Sequence, residues 1–412
     1  MSQSILVIGG GFSGITAALE AAEIGHEVYL VEKGPYLGGR VMQLNKYFPK
    51  LCPPSCGLEI QFQRIKKNSK VKCLTLAEVV SVSGKSGNYE VAVRIKPRYT
   101  APNSANLQAL ADSLSQNVSD EFEFGLSTRK ALYMDVPFAF PQRYVLDADH
   151  IDENDRKKLS QSEFIDLNDQ EKSITLNVGS IIVATGWKPY DVTNLTTLGA
   201  GQIQNCINNM QMERLAAPSG PTQGQILRPS DGRPPKKVAF VQCAGSRDEN
   251  HLSFCSYICC MASLKHAKYL REQYPDAEVT IFYIDLRTPG RYDNFAQEVL
   301  NDPMVKTVKG KVAEVEEDIR NGSVWVTAEN TISGNKEQDC FDMVVLATGM
   351  QPSLAGQPLP LNMEVDEEGF VLSAETNGIF AAGCAAEPLD VMKSAESATS
   401  AAMKAIQTVR GR

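Results

Sequence analysis

A four-residue apolar run, Ile5 to Ile8, opens into Gly9, Gly11 and Gly14 and then into a helix-forming stretch, Ile15 to Ile24; no other feature restricts the fold of this chain as strongly. Glycines at those three positions supply a tight turn, close approach of backbone to a pyrophosphate, and intimate contact between helix and strand, while the helix N-terminus faces the negative charge. Gly25 closes the helix, and a second apolar strand, Glu27 to Val31, ends in Glu32. A carboxylate at that place accepts both ribose hydroxyls of an adenosine, which favours FAD or NAD over a 2′-phosphorylated nucleotide. The bare glycine pattern recurs by chance. Strand, turn, helix, strand and acid in the right order are far more specific.

The chain of 412 residues is long enough for two or three domains, and 43% apolar with 22% charged residues is ordinary for a globular protein. Its 41 basic and 49 acidic residues leave a net charge of −8, which gives no reason to expect nucleic acid or an anionic membrane as partner. The N-terminal apolar run lacks a basic leader and a cleavage site and reads as a first strand. No apolar stretch approaches the ~20 residues that span a bilayer. Ten cysteines without secretion signals point to a reducing, cytoplasmic setting in which thiols bind metal or do redox work, with Cys73, Cys206 and Cys340 read as small buried hydrophobes.

Further motifs repeat the nucleotide-binding theme. Gly38, Gly39 and Arg40 follow Glu32 closely, a second glycine pair that resembles flavoproteins with two dinucleotide domains and so favours FAD over a bare nicotinamide. Two apolar strands each end in Ala-Thr-Gly, at Ala184, Thr185 and Gly186 and again at Ala347, Thr348 and Gly349, with Pro189 and Pro352 three residues beyond each glycine. Small residues there let the chain turn close to a cofactor or cross between domains.

Where a second phosphate turn belongs, after the strand Lys237 to Gln242, stand Cys243, Cys255, Cys259 and Cys260, four thiols within eighteen residues. Four convergent thiolates suit an iron-sulfur cluster or a structural zinc. Structural zinc sites usually read as two short clips, which this run does not form. The spacing of Cys255 and Cys259 places three sulfurs at the start of one helix, whose N-terminus favours thiolates, with Cys243 reaching in from the strand end. Four unrelated buried thiols are the bland alternative. His251 is read as a solvated loop residue or, less readily, as a replacement ligand.

With Gln242 to Glu249, the Cys255, Cys259 and Cys260 group and the Tyr283 to Arg291 segment in view, the chain resembles the A-type subunit of heterodisulfide reductase, in the short form of sulfur-oxidising pathways. The likeness extends over Gly125 to Tyr133, both Ala-Thr-Gly strands and the Ala382, Gly383, Cys384 turn. It implies FAD plus one [4Fe-4S] cluster on Cys243, Cys255, Cys259 and Cys260, a homodimer, and partner subunits of a heterodisulfide-reductase-like complex. NAD(H) or a thiol or persulfide donor completes the partner expectation. Two departures stand out. No cysteine lies between Cys73 and Cys206, so the ferredoxin-like ligands that long family members carry after a segment like Lys96 to Tyr99 are missing. Cys384 replaces the aspartate expected at the flavin ribityl chain, leaving a backbone group to make that contact, while the helix from about Leu389 to Thr408 aims its N-terminus at the flavin.

The expected architecture is α/β: two Rossmann-like dinucleotide-binding domains in a thioredoxin-reductase-like arrangement, the second adapted to hold an iron-sulfur cluster. Residues 1–190 form the first part of the FAD domain with an irregular, mostly polar insertion at 97–175, residues 191–351 the cluster domain, and 352–412 the rest of the FAD domain. Cofactor contacts are expected at Gly9, Gly11, Gly14, Glu32, Lys33, Gly39, Arg40, Ala184, Thr185, Gly186, Gly383 and Cys384. Cys52 and Cys56 are candidate catalytic thiols, with three readings open: a redox disulfide, an adjunct of the cluster, or a rigid turn with idle thiols. Arg247 and Arg287 add positive charge near the thiols or form surface ion pairs. The functional expectation is an FAD and [4Fe-4S] electron-transfer subunit in cytoplasmic sulfur-compound oxidation. The alternative is a stand-alone NAD(P)H-dependent disulfide reductase, for which Cys243 stands awkwardly where a glycine-rich turn should begin.

Overall fold

A computed structural model describes residues 2–102, 104, 106–357 and 363–411. The chain forms two compact units, one of residues 1–42, 55–187 and 352–412, the other of residues 43–54 and 188–351. Both follow the α/β plan: a five-stranded parallel sheet with helices on one face and a three-stranded antiparallel sheet on the other.

In the first unit the strand order is Ile379–Ala381, Ser180–Val183, Ile5–Ile8, Val28–Val31, Val71–Leu74, all parallel. Side chains alternate across this sheet as the pleat requires. Ile5, Val7, Val28, Leu30 and Ile182 face a core shared with the helices Phe12–Glu23 and Val391–Val409. Alanines dominate that contact: Ala17, Ala18, Ala21 and Ala22 meet Ala398, Ala401, Ala402 and Ala405 in the same core. Leu6, Val31, Ile181 and Val183 point the other way, onto Val79, Val91, Val93, Leu176 and Val178 of the antiparallel strands Ala77–Lys85, Asn88–Ile95 and Lys172–Val178.

The segment 97–175 is better organised than its polar sequence suggests. Two small hairpin pairings, Asn117–Ser119 with Thr128–Lys130 and Leu132–Tyr133 with Val145–Leu146, close around their own core of Leu107, Leu114, Leu132, Tyr144, Leu146 and Leu159. Asp155 is buried there, its carboxylate accepting the Ser115 amide at 2.9 Å. The apolar positions are spread singly through charged runs, so no periodicity advertised them.

The second unit's parallel sheet runs Cys206–Asn208, Met343–Thr348, Lys237–Ala244, Glu278–Tyr283, Val305–Lys309. Ala239, Val241, Val344 and Leu346 pack on the antiparallel strands Val312–Asp318, Ser323–Asn330 and Asn335–Phe341. Phe240 points to the opposite face, its ring 6.1 Å from that of His266 on the helix Cys259–Gln273. Residues 43–54 belong to this unit for a physical reason. Glu213 accepts the Asn45 amide at 2.8 Å, the Lys265 ammonium donates to the Lys46 carbonyl at 2.6 Å, and the Phe48 ring meets that of Tyr292 edge-on at 5.5 Å.

Candidate functional site

The glycine turn of the first unit is shaped by what a side chain would strike. A Cβ on Gly14 would lie 1.8 Å from the Gly9 carbonyl oxygen, and one on Gly9 2.3 Å from that of Ala184, so helix and strands meet backbone to backbone. Gly11 differs: its Cβ would meet only the Gly39 Cα, at 3.8 Å, leaving open space above the turn. The Gly38 amide donates to the Gly10 carbonyl at 2.8 Å, which brings the second glycine pair onto the first. Gly383 closes the ring of small residues, since a Cβ there would lie 2.1 Å from the Ser13 hydroxyl.

This cradle fits an anionic dinucleotide. The Phe12–Glu23 helix has no side-chain cap and no acid in its first turn, so its N–H groups and positive dipole end stay uncompensated. The Thr185 hydroxyl oxygen, next to Ala184 in sequence, is buried without a partner. Glu32 is half-buried, and its two oxygens accept the Gly10 and Gly34 amides at 2.6 and 2.7 Å. Burial pushes its carboxyl above the usual range while those amides pull it back. Each oxygen keeps a further lone pair for a ribose hydroxyl.

Arg40 is also held here, its Nε donating to the Trp187 carbonyl at 3.2 Å and burial lowering its pKa. Lys33 is not drawn in: it is exposed and pairs with Glu78 at 3.6 Å. The Cys384 thiol turns inward, to the Leu389 carbonyl at 3.4 Å and the Ser394 hydroxyl at 3.7 Å, and the Gly383 amide donates to the Ser397 hydroxyl at 3.0 Å, which leaves the Cys384 and Ala385 amides as the groups to meet a cofactor. The N-terminus of the Val391–Val409 helix, read from sequence as a dipole end aimed at the flavin, is capped by the buried carboxylate of Asp390, which accepts the Lys393 amide at 2.8 Å.

The four thiols of the second unit lie at the C-terminal end of its central strand and the start of the following helix. Here one sequence expectation fails. The helix begins at Cys259, and Tyr257, with φ of 66°, breaks the chain before it, so Cys255 approaches from a loop and not from one helical face. Cys243 ends its strand in the left-handed region at φ 55°. Burial pushes the thiols of Cys243, Cys259 and Cys260 up, Cys260 to about 11, and the charges of neighbouring cysteines add to the effect. Arg247 works the other way on Cys243, and the Arg287 amide on Cys260. Both arginine side chains pair with Asp285, at 2.9 and 3.9 Å, and the Asp285 carbonyl accepts from the Cys260 thiol at 3.4 Å.

Among the described residues no group of three or more His, Cys, Asp or Glu side chains is arranged to grip a metal ion. The donor chemistry nevertheless suits a multi-iron cluster better than a single ion. The four thiols are near enough to feel one another's charge, two guanidinium groups and a helix N-terminus offset that charge, and a cube of irons holds its thiolates further apart than one ion does. His251 is engaged elsewhere, its Nδ1 3.0 Å from the Tyr190 hydroxyl. Cys52 and Cys56 are both exposed and free.

One group in this unit went unseen in the sequence. Glu213, Lys265 and His266 form a buried cluster, with Lys265 Nζ 2.7 Å from Glu213 Oε1 and His266 Nε2 against the same oxygen. About fifty residues separate Glu213 from the other two, and Lys265 and His266 sit in a helix that also carries Lys268, Arg271 and Glu272, so nothing local marked them.

A family model for FAD dependent oxidoreductases matches residues 4–48, which hold the glycine turn, Glu32 and the second glycine pair. The chain is 36% identical over 415 residues to the second A-type iron-sulfur subunit of CoB–CoM heterodisulfide reductase from Methanopyrus kandleri, covering 97% of this chain and 63% of that protein. The chain is a homologue of the A-type subunit of heterodisulfide reductase. The corresponding protein from Methanocaldococcus jannaschii is likewise 36% identical over 98% of the chain, and that of the ferredoxin/F(420)H(2)-dependent enzyme from Methanosarcina acetivorans 34%. The chain spans 53 to 64% of the length of these three relatives. Thioredoxin reductase from Lactococcus lactis superposes with a TM-score of 0.55, and bacillithiol disulfide reductase Bdr from Bacillus cereus with 0.54, each at 14% identity over all of both chains. The fold is therefore that of thioredoxin-reductase-like flavoproteins, and the chain stands among the FAD-dependent oxidoreductases. No described helix is long and apolar enough to cross a membrane.

Proposed function

We propose that this chain is an electron-transfer subunit carrying FAD and one [4Fe-4S] cluster, working within a heterodisulfide-reductase-like complex in cytoplasmic sulfur-compound oxidation. The carrying observation is that the central strand of the second parallel sheet, where a nucleotide turn belongs, ends in Cys243 and is followed by Cys255 in the loop and by Cys259 and Cys260 at the start of the next helix. FAD would be held by Gly9, Gly11, Gly14, Glu32, Gly39, Arg40, the Ala184 to Gly186 exit and the Gly383 turn, and the cluster by Cys243, Cys255, Cys259 and Cys260. When bound, the flavin supplies two-electron and the cluster one-electron chemistry. The protein's own part is to bind, to set charge and to exclude water. Uncapped amides meet the pyrophosphate, Glu32 orients ribose, and Arg247, Arg287 and a helix N-terminus offset thiolate charge. Partner subunits and a homodimer complete the reading. The domain limits 1–190, 191–351 and 352–412 belong to it as well, except that residues 43–54 and 188–190 pack with the second unit.

Anaerobic purification followed by flavin, iron and sulfide analysis tests this. About one flavin and ~4 irons per chain are expected, with iron lost and flavin kept in Cys259→Ala. Yellow protein free of acid-labile sulfide would overturn the reading. Assayed alone with NADH and disulfides, the chain is expected to turn over negligibly.

A further inference from the structure

Gln242 is 4% exposed, and neither its amide nitrogen nor its amide oxygen has a hydrogen-bond partner. A buried amide left unpaired keeps the full cost of its lost hydration, so such a group calls for a partner. Its position says which one. Phe240 and Gln242 lie two residues apart on one strand and share a face of the sheet, the face on which Phe240 meets His266. The strands Lys237–Ala244 and Glu278–Tyr283 are parallel, so the helix Cys259–Gln273 between them runs back against the strand direction. Two strand residues advance ~6.6 Å, which matches the rise of about four helical residues. Counting from His266 toward the helix start, that places Gln242 opposite the first turn, between Ser263 and Cys259, both buried. Its neighbour in sequence is Cys243. The unpaired amide is therefore placed toward the helix start that carries Cys259, one residue before Cys243 in the chain.

We propose that Gln242 is a positioning residue for the thiol-held cluster, its amide N–H donating to a cluster sulfur and raising the reduction potential. The inference rests on the cluster reading above. Reduction adds one negative charge to a group already rich in thiolates, and an N–H directed at sulfur in a dry site stabilises that charge. Without the donor, the reduced state loses the larger share of this stabilisation. The oxidised state loses less.

Gln242→Met keeps length and approximate volume while removing both amide protons. Redox titration followed by EPR is expected to show full iron and sulfide content and a potential shifted to more negative values than in the natural protein. A second measurement needs no variant. Pulsed EPR of the reduced natural protein, labelled with 15N-amide glutamine, is expected to show a hyperfine coupling from one side-chain nitrogen. An unmoved potential in a fully loaded Gln242→Met protein, or no such coupling, overturns the assignment and leaves the cluster reading intact; pairing of Gln242 with the free His266 Nδ1 would give that result. Natural protein lacking iron and sulfide overturns both.

Discussion

Glu213 and Lys265 form an ion pair of 2.7 Å with side chains only 2% and 3% exposed, fifty-two residues apart in sequence. Their outer contacts hold the segment 43–54: Glu213 takes the Asn45 amide and Lys265 reaches the Lys46 carbonyl. A pair so fully removed from water is weak evidence of net stabilisation, because desolvation opposes the Coulomb gain, but removing one partner strands the other. Glu213→Ala is therefore expected to destabilise the protein by ~3–5 kcal/mol, read as a lowered denaturant midpoint. Equal midpoints for variant and parent would show that Lys265 finds relief elsewhere.

The same cluster sets an acid limit. Burial alone would raise the Glu213 carboxyl, but the charges of Lys265 and His266 and their hydrogen bonds outweigh it and hold the group at about 2 against an ordinary 4.5. A depressed carboxyl contributes stability above its unfolded value, and that contribution is lost as pH falls from 4.5 through about 2. His266 acts in the same direction: burial lowers its pKa below 6.5, so the unfolded chain takes up its proton first on acidification. Stability followed by denaturation from pH 7 downward should fall more steeply in the parent than in Glu213→Gln. Parallel curves would remove Glu213 from the acid response.

Two glycines of the turn should separate folding from cofactor binding. Gly14→Ala forces a methyl to 1.8 Å from the Gly9 carbonyl and is expected to cost ~1–3 kcal/mol or more through displacement of helix from strand. Gly11→Ala meets nothing nearer than 3.8 Å, and φ of −74° suits alanine, so the fold should stand. The added methyl fills the space a pyrophosphate needs. Purified Gly11→Ala is expected to be folded by circular dichroism yet free of flavin, whereas a flavin content equal to the parent's would place the pyrophosphate elsewhere.

The legible parts of this molecule are those written in contiguous sequence. Gly9 to Glu32 carries strand, turn, helix, strand and acid in one stretch, and both Ala-Thr-Gly exits sit where the chain turns between units. The cysteine run located its own strand and helix, but not the break at Tyr257, because a left-handed residue of that type has no compositional signature. Asp390 as a helix cap could have been read from its place just before an alanine-rich helix. The Glu213 cluster and the core within 97–175 depend on residues that meet only after folding, and no local pattern encodes them.

Thiol accessibility bears on the role left open for Cys52 and Cys56. Both are exposed, while Cys206, Cys243, Cys259, Cys260 and Cys384 are buried and Cys73, Cys255 and Cys340 intermediate. Burial moreover pushes the Cys73 thiol to about 11 and Cys206 to about 12, which suppresses the reactive thiolate at neutral pH. Under native anaerobic conditions a disulfide reagent should therefore show a fast phase of about two thiols per chain, followed by slow labelling of the rest. Cys52→Ser with Cys56→Ser should abolish the fast phase. If the parent as purified shows no fast phase until treated with reductant, and regains it in proportion to two electrons taken up, the pair exists as a disulfide and the redox reading is favoured. A fast phase present from the start, with flavin reduction unaltered in the double variant, makes them idle surface thiols.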